Sequence, residues 1–234
     1  MLRVEGLSKS FGGLLAVDRL DLAVERGTIL GLIGINGAGK TTVMNCINGI
    51  YRSDAGRVIF EERDITHLTP HEIARAGVGR TFQVPRVFRR MTLIENMLVP
   101  MLSSHEGDQA LTARAEAYLA RVNLQGLRHN FAEELSGGQQ KLLELARVMM
   151  FEPKLILLDE PFAGVNPALC RLIIEQVEAL LEAGTTFVLV SHDLTSIYRL
   201  SDHVAVLNQG QKIAEGSVDA IRRDPVVIEA YLGA

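Results

Sequence analysis

The chain has 234 residues and a formal net charge of -4. This length suits one large domain, or a core with an inserted subdomain, that buries its own hydrophobic core without disulfides. The acidic balance argues against nucleic acid as a partner, and no stretch reaches the roughly 18 apolar residues that a membrane-spanning helix needs.

The first part of the chain is predicted to be rich in β-strands. Leu2 to Leu7 and Ala16 to Val24 alternate or cluster apolar residues, as antiparallel strands do. Phe11 lies between them and precedes two glycines. It could be a minor core residue, but a flat ring shortly before the glycine-rich loop that follows is well suited to stack on an adenine base.

A glycine-rich loop follows a short apolar strand at Ile29 to Ile33. Residues 34–41 read GINGAGKT, which matches the pattern GxxxxGK[ST], and a helix is predicted to open near Gly39. Glycines allow backbone N–H groups to converge on anionic oxygens, and a helix N-terminus adds unpaired donors with a favourable dipole. The pattern therefore predicts a phosphate-binding loop, in which Lys40 reaches the β and γ phosphates and the Thr41 hydroxyl ligates Mg²⁺.

Three further elements are predicted before the middle of the chain. They are a strand at Gly56 to Phe60, a short helix at His71 to Ala76 and a strand at Val78 to Phe82. Gln83 ends the last of them. Because its amide can ligate Mg²⁺ or hold a water molecule, we expect Gln83 to report the nucleotide state to the helical segment that it opens.

The middle third of the sequence has helical periodicity. Apolar residues recur at helical spacing in two segments, Thr92 to Leu102 and Leu111 to Val122. We predict a helical subdomain at about 84–152, inserted into a nucleotide-binding core formed by about 1–83 and 153–234. Its last helix is predicted to begin with Ser136 as the N-cap, and the exposed N–H groups there provide an anion site without a phosphate of its own nearby in sequence.

From residue 153 onward, predicted strands and helices alternate. This pattern indicates a mostly parallel sheet with right-handed connections, so the predicted fold class is α/β. Such sheets bind ligands at the carboxyl ends of their strands, which places the loops after Ile33, Leu158 and Val190 on one edge. The predicted elements are Leu155 to Leu158, Pro167 to Glu182, Thr186 to Val190, Leu194 to Leu200 and Val204 to Leu207.

Two of these loops contain candidate catalytic residues. Asp159 has the position expected of a Mg²⁺ anchor that works through Thr41 or a water molecule, and Glu160 is free to polarise an attacking water. His192 follows the next buried strand, where it can sense a γ-phosphate. A solvated acidic turn and a structural histidine are the alternative interpretations. The position of Glu160 and His192 beside a phosphate-binding loop favours a role in nucleotide hydrolysis.

Taken in order, the motifs resemble those of the nucleotide-binding subunit of ATP-binding cassette (ABC) transporters over essentially the whole chain. The motifs are GINGAGKTT, Gln83, LSGGQ at Leu135 to Gln139, LILLDE at Leu155 to Glu160, and His192. LSGGQ is decisive, because phosphate-loop kinases, GTPases and helicases lack it. The resemblance implies a single domain with a P-loop NTPase (RecA-like) core, an antiparallel β subdomain and an inserted helical subdomain.

The resemblance also implies a head-to-tail dimer, with ATP and Mg²⁺ as cofactors. It assigns hydrolysis to Glu160, His192 and Gln83, and the metal to Thr41, Gln83 and Asp159. The signature residues that would complete the partner subunit's site are Ser136, Gly137, Gly138 and Gln139. The ATP-binding residues would be Phe11, Gly34, Asn36, Gly37, Ala38, Gly39, Lys40, Thr41 and Thr42.

Four phrases resemble the larger-type ATPase subunit of bacterial branched-chain amino-acid importers. They are FGGLLAVD, HEIARAGVGRTFQ, FRRMTLIENM and NQGQKIAEG…DPVVIEAYLG. This implies an ATP-hydrolysing motor subunit at the cytoplasmic face of the inner membrane, peripheral to it. The implied partners are a second, similar cassette, membrane permeases and, indirectly, a periplasmic binding protein.

The motifs allow three alternatives to the amino-acid importer. The ATPase that drives lipopolysaccharide extraction has a pattern close to PFAGVNP, but the phrase RTFQ at Arg80 to Gln83 favours the importer. A soluble cassette of DNA repair needs a long coiled-coil insert before LSGGQ, and a translation-factor cassette carries two cassettes and a basic linker. Neither feature is present in this acidic chain.

Three positions depart from the usual cassette pattern: Ile35 replaces a proline, Phe11 a tyrosine and Asn166 an aspartate. Because the phosphate contacts come from the backbone, we expect the loop to bind nucleotide with isoleucine at position 35. The loop should be less preorganised than one that contains proline. Phe11 keeps the ring face and loses only a hydroxyl.

Overall fold

The structure, a computed structural model, describes residues 1–232. The strands are β1 (Leu2–Phe11), β2 (Leu14–Val24), β3 (Ile29–Gly34), β4 (Ala55–Phe60), β5 (Arg63–Asp64), β6 (Val78–Arg80), β7 (Leu155–Asp159), β8 (Thr186–Val190), β9 (His203–Asn208) and β10 (Gln211–Gly216). The helices are α1 (Lys40–Ile47), α2 (Pro70–Ala76), α3 (Leu93–Leu98), α4 (Asp108–Arg121), α5 (Gly137–Met149), α6 (Pro167–Glu182), α7 (Leu194–Leu200), α8 (Val218–Arg223) and α9 (Pro225–Leu232).

A six-stranded sheet forms the centre of the fold, in the order β10-β9-β3-β8-β7-β6. All neighbouring strands are parallel except the β9–β10 hairpin. Every residue of β3, β7 and β8 is buried, which agrees with their nearly continuous apolar sequences. The α/β class is therefore confirmed, and the carboxyl ends of these three strands lie at one edge of the sheet.

The four-stranded sheet is antiparallel, in the order β2-β1-β4-β5. Its apolar residues, together with α1, cover one face of the six-stranded sheet, and α3 to α6 cover the opposite face. Side chains along β8 alternate between these two faces. Val188 and Val190 pack on the side of the antiparallel sheet and α1, and Phe187 and Leu189 pack on the side of helices α3 to α6. The result is a three-layer arrangement around the central sheet.

Helices α3, α4 and α5 lie between β6 and β7 in the chain and pack on one another. The first is shorter than predicted: α3 ends at Leu98, and a 3₁₀ turn at Val99–Met101 follows, because Pro100 has no N–H group to continue the helix. Helix α4 begins three residues before the predicted Leu111, with Asp108 in its first turn, where a carboxylate complements the helix dipole.

Strand β6 also ends earlier than predicted, at Arg80 instead of Phe82. Thr81 N still donates to Leu157 O at 3.0 Å, but Phe82 N donates to the carboxylate of Glu144 at 3.0 Å. A long-range side-chain acceptor therefore takes the chain out of the sheet at this point. Among residues 1–232, no helix is long and apolar enough to cross a membrane.

Candidate functional site

The glycine-rich loop connects β3 to α1 and is held closed by its own hydrogen bonds. Lys40 Nζ donates to Gly34 O at 2.6 Å and to Ile35 O at 3.0 Å. Ala38 N donates to Ile35 O at 3.1 Å, and Gly210 N donates to Ala38 O at 3.0 Å. The loop therefore has a defined shape, with the Lys40 ammonium at its centre.

Two glycines of this loop are required by close backbone approach. A Cβ atom on Gly34 would lie 2.3 Å from Leu207 O, in β9. Gly39, the N-cap of α1, has a φ of 105°, and a Cβ atom there would lie 2.5 Å from Ala16 O, in β2. These contacts explain why both positions of the motif need glycine in this fold.

The loop forms one wall of a cleft of about 720 Å³. Residues from distant parts of the sequence meet there: the β1–β2 turn, the loop, Gln83, the end of β7 and the end of β8. Most of the predicted site residues line this cleft, namely Phe11, Asn36, Gly37, Ala38, Gly39, Lys40, Thr41, Thr42, Gln83, Glu160 and His192. Gly34, Asp159 and the residues of LSGGQ do not line it.

Phe11 is 42% exposed at the mouth of the cleft. Its ring forms a T-shaped pair with Tyr51, with 5.1 Å between the ring centroids and 73° between the planes. Lys9 Nζ lies 5.4 Å from the Phe11 centroid. The ring is thus supported from two sides, and an exposed aromatic surface remains for a flat ligand.

Glu160 and His192 are paired at the far side of the cleft. His192 Nδ1 lies 2.8 Å from Glu160 Oε2, and the His192 backbone N donates to the same oxygen at 3.2 Å. The Glu160 side chain is 10% exposed, whereas that of His192 is 68% exposed. The carboxylate is therefore fixed by the loop after β8, and the imidazole is accessible to a ligand in the cleft.

Asp159 forms a buried ion pair with Arg80, a partner that the sequence analysis did not assign. Arg80 Nη2 lies 3.1 Å from Asp159 Oδ2, and both side chains are 3% exposed. Burial raises the pKa of Asp159, and the Arg80 charge and hydrogen bond oppose that rise. Asp159 Oδ1 and the Nε and Nη1 atoms of Arg80 are buried without a hydrogen-bond partner.

The predicted Mg²⁺ ligands fit that ion by their chemistry. Thr41, Gln83 and Asp159 border one groove of about 820 Å³, and all three have oxygen donors, which Mg²⁺ prefers. Asp159 Oδ1 is free of hydrogen bonds. Within the described range, no cluster of three or more His, Cys, Asp or Glu residues could hold a metal by itself. Mg²⁺ in nucleotide sites is usually bound through one or two carboxylates together with the phosphates of the substrate.

The signature segment lies apart from this cleft and caps α5. Ser136 Oγ accepts a hydrogen bond from Gln139 N at 3.4 Å, and Gln139 Oε1 accepts from Ser136 N at 3.0 Å. This capping box confirms Ser136 as the N-cap. Ser136 and Gly137 are exposed, and Gly138 is buried. The side chain of Gln139 is occupied by the cap, whereas the exposed N-terminus of α5 is free to meet a ligand.

Two buried charged residues of α5 were also missed by the sequence analysis. Glu144 is 1% exposed, and its carboxylate accepts from Phe82 N at 3.0 Å and from Arg86 N at 2.7 Å. Lys141 is 8% exposed, and its ammonium donates to Glu160 O. Burial raises the pKa of Glu144 and lowers that of Lys141. Their signal was available, because both occupy the buried helical face otherwise formed by Leu145 and Val148.

The fold and the cleft together define a P-loop ATPase of the ATP-binding cassette type. The family model described as "ABC transporter" matches residues 17–163, and the model described as "Branched-chain amino acid ATP-binding cassette transporter" matches residues 211–234. The chain belongs to the ABC transporter family of ATP-binding subunits, and the resemblance seen in its motifs is confirmed.

Relatives and solved structures of this family match the chain from end to end. The probable branched-chain amino acid transport ATP-binding protein LivG of Archaeoglobus fulgidus is 42% identical, with 100% of this chain and 96% of the relative covered. The high-affinity branched-chain amino acid transport ATP-binding protein BraF of Pseudomonas aeruginosa is 40% identical, with coverages of 100% and 98%. The ADP conformation of an ABC transporter cassette is similar with a TM-score of 0.89 and 37% identity, and covers 100% of this chain and 99% of its own.

Proposed function

We propose that the chain is the motor subunit of a branched-chain amino-acid importer, and that it works at the cytoplasmic face of the membrane. Full-length relatives with 42% and 40% identity have this role in their names, and residues 211–234 match a family model for it. The proposed partners are a second cassette, membrane permeases and, through them, a periplasmic binding protein.

ATP binds in the cleft with its base against Phe11 and its phosphates on the loop. Lys40 exchanges the carbonyls of Gly34 and Ile35 for oxygens of the β and γ phosphates. Burial lowers the pKa of Lys40, and the nearby carboxylates of Glu160 and Asp159 oppose this effect. A bound polyphosphate favours the charged ammonium in the same way, so the nucleotide and the Lys40 charge stabilise each other.

Hydrolysis is assigned to Glu160, with His192 as its partner. Among the described residues, Oε2 of Glu160 is engaged by His192, which leaves Oε1 to orient an attacking water. The exposed His192 ring steadies the γ-phosphate, and Gln83 faces the same cleft. Thr41, Gln83 and Asp159 would hold a Mg²⁺ ion, which would supply positive charge to the phosphates.

The observation that carries this proposal is the separation of the two halves of the ATP site within one chain. The cleft contains the phosphate-binding loop and Glu160, whereas Ser136 and Gly137 are exposed elsewhere, at the N-terminus of the 13-residue helix α5. Free N–H groups and the helix dipole make that terminus an anion site. In a head-to-tail dimer it meets the γ-phosphate of the partner subunit, so each ATP site is completed by the second cassette.

The proposed permease contact lies in the groove that Thr41, Gln83 and Asp159 border, at the residues that follow Gln83. Val84 and Phe88 are 73% and 45% exposed there, and the guanidinium of Arg147 lies 5.2 Å from the centre of the Phe88 ring. Apolar side chains bordered by arginines suit a partner helix with an apolar face and a carboxylate. Because Gln83 begins this segment, a change at the ATP site reaches the groove directly.

The transported substrate is tested by uptake in cells that lack the gene. Uptake of labelled leucine should be lost, restored by the wild-type chain and not restored by Glu160→Gln. Uptake of an unrelated solute serves as the control and should be unchanged. Normal leucine uptake in cells without the gene contradicts the proposed substrate class.

The dimer and the permease contact are tested separately. The hydrolysis rate per chain should rise with protein concentration, and an equal rate in a strictly monomeric preparation contradicts the shared site. Phe88→Asp should abolish co-purification with membrane partners, whereas Phe131→Asp, at a phenylalanine that is 46% exposed outside the groove, should preserve it. Equal recovery of the membrane partners with Phe88→Asp and Phe131→Asp would exclude the groove as the permease contact.

A further inference from the structure

Lys141 is a buried lysine that connects the signature helix to the catalytic loop of the same chain. It lies in the second turn of α5, five residues after the N-cap Ser136, and is 8% exposed. Its ammonium donates to the backbone carbonyl of Glu160, at the carboxyl end of β7. Burying an ammonium is costly unless it is hydrogen-bonded or paired, so this contact accounts for the lysine at a core position.

The backbone that Lys141 holds is in an uncommon conformation. Glu160 has a φ of 49°, in the left-handed region that residues other than glycine seldom adopt. Its N–H group donates to Val190 O at 2.8 Å, and its carbonyl also accepts from Ala163 N at 3.3 Å. Such a conformation persists only when surrounding contacts enforce it. The direction in which the Glu160 carboxylate points therefore depends on these few backbone contacts.

The neighbouring residues of α5 show that this contact is not a general property of the helix. Gln140 donates to Leu135 O at 3.0 Å and to Ala132 O at 3.4 Å, both within the helical part of the chain. Lys141, in contrast, reaches across to the central sheet. Lys141 and its N-cap Ser136 belong to the same helix, so this hydrogen bond joins the signature helix to the Glu160 backbone.

We propose that Lys141 is a positioning residue for ATP hydrolysis. It fixes the backbone of Glu160 so that the carboxylate faces the cleft, and it ties this carboxylate to the signature motif of its own chain. In the dimer proposed above, that motif serves the opposite ATP site, so Lys141 links the two sites through one helix. This inference rests on the proposed function in two respects: the assignment of Glu160 as the group that orients water, and, for the link between the two sites, the head-to-tail dimer.

The test compares Lys141→Met, Lys141→Arg and Gln140→Ala in the full chain. Lys141→Met should lower kcat about 10- to 100-fold, the effect expected for loss of a charged hydrogen bond, with little change in KM or in the affinity for a fluorescent ATP analogue. Lys141→Arg, which can still donate to the carbonyl, should recover most of kcat. Gln140→Ala, which leaves the Glu160 contact intact, should turn over ATP within about twofold of wild type.

A double-mutant cycle with Glu160→Gln separates positioning from general destabilisation. If Lys141 acts through Glu160, then Lys141→Met should cause no more than about a twofold further loss in the Glu160→Gln background. A full additional loss there, or wild-type kcat in Lys141→Met, overturns the inference. Should Lys141→Met fail to bind the analogue, the same cycle is run with Lys141→Gln under the same criteria. Wild-type hydrolysis by Glu160→Gln alone would instead refute the assignment of Glu160.

Discussion

Replacement of Arg80 by methionine provides a direct test of the buried ion pair. Both side chains of the Arg80–Asp159 pair are 3% exposed, so the substitution leaves a carboxylate buried without its cation. Removing one partner of such a pair costs about 3 to 5 kcal/mol. In a chain of 150–250 residues each kcal/mol lowers Tm by about 2 to 4 °C, so we expect a decrease on the order of 10 °C.

The assay is thermal or urea unfolding followed by circular dichroism without nucleotide or metal. Arg57→Met is the matched control, because Arg57 pairs with Glu5 at 2.9 Å on the surface, with side chains 64% and 40% exposed. That variant should lose less than about 1 kcal/mol. Adding Asp159→Asn to Arg80→Met should restore part of the stability, since the unpaired charge is then absent.

The pH dependence of Arg80→Met provides a second criterion. Burial raises the pKa of Asp159 above its ordinary value of 3.8, and loss of Arg80 removes the main opposing effect. A carboxyl group with a raised pKa in the folded state binds a proton more readily there than in the unfolded chain, so stability falls as pH rises. The loss of folding stability in Arg80→Met relative to wild type should therefore be larger at pH 8 than at pH 5. A Tm within about 2 °C of wild type at pH 8 would refute the reasoning.

Three other predictions concern the nucleotide and the thiols. Lys40→Ala should weaken equilibrium binding of ATP, and unchanged affinity would contradict the loop assignment. Glu160→Gln should retain ATP binding, lose about 10² to 10⁴ in turnover and accumulate nucleotide-bound dimers, measured by single-turnover hydrolysis and size-exclusion chromatography. Burial raises the pKa of Cys46 to about 11, so in a Cys170→Ser background a disulfide reagent at pH 8 should modify the folded chain slowly and the unfolded chain rapidly. Equally fast modification of the folded and the unfolded chain would show that the Cys46 thiol is accessible in the folded state, which contradicts its burial.

Much of the fold could be predicted because its signals are local. Strands β7 and β8 have short apolar sequences bounded by polar loops, and the glycine pattern before α1 identifies its own turn. The end of β6 could not be predicted in this way. It depends on Glu144, which is distant in sequence and withdraws Phe82 N from the sheet. Periodicity contains no information about such an acceptor.

The residues of the candidate site also fall into those that local sequence identifies and those that depend on distant partners. Lys40, Glu160 and His192 were identifiable because each follows a buried strand at the ligand-binding edge. Arg80 and Lys141 gave only the weak signal of a charge at an apolar position, and their partners became apparent only in three dimensions. Residues that line the cleft could thus be identified from the sequence, whereas the residues that hold them in place could not.

The hydrogen bonds of Lys40 have a further consequence for the kinetics of the motor. The ammonium occupies the centre of its loop, where it donates to Gly34 O at 2.6 Å and to Ile35 O at 3.0 Å, so the lysine itself holds the main chain in its curved shape. In the proposed function, ATP binding requires Lys40 to exchange these backbone acceptors for phosphate oxygens, and the loop needs little rearrangement. In the proposed function, release of the nucleotide returns the Lys40 ammonium to the carbonyls of Gly34 and Ile35.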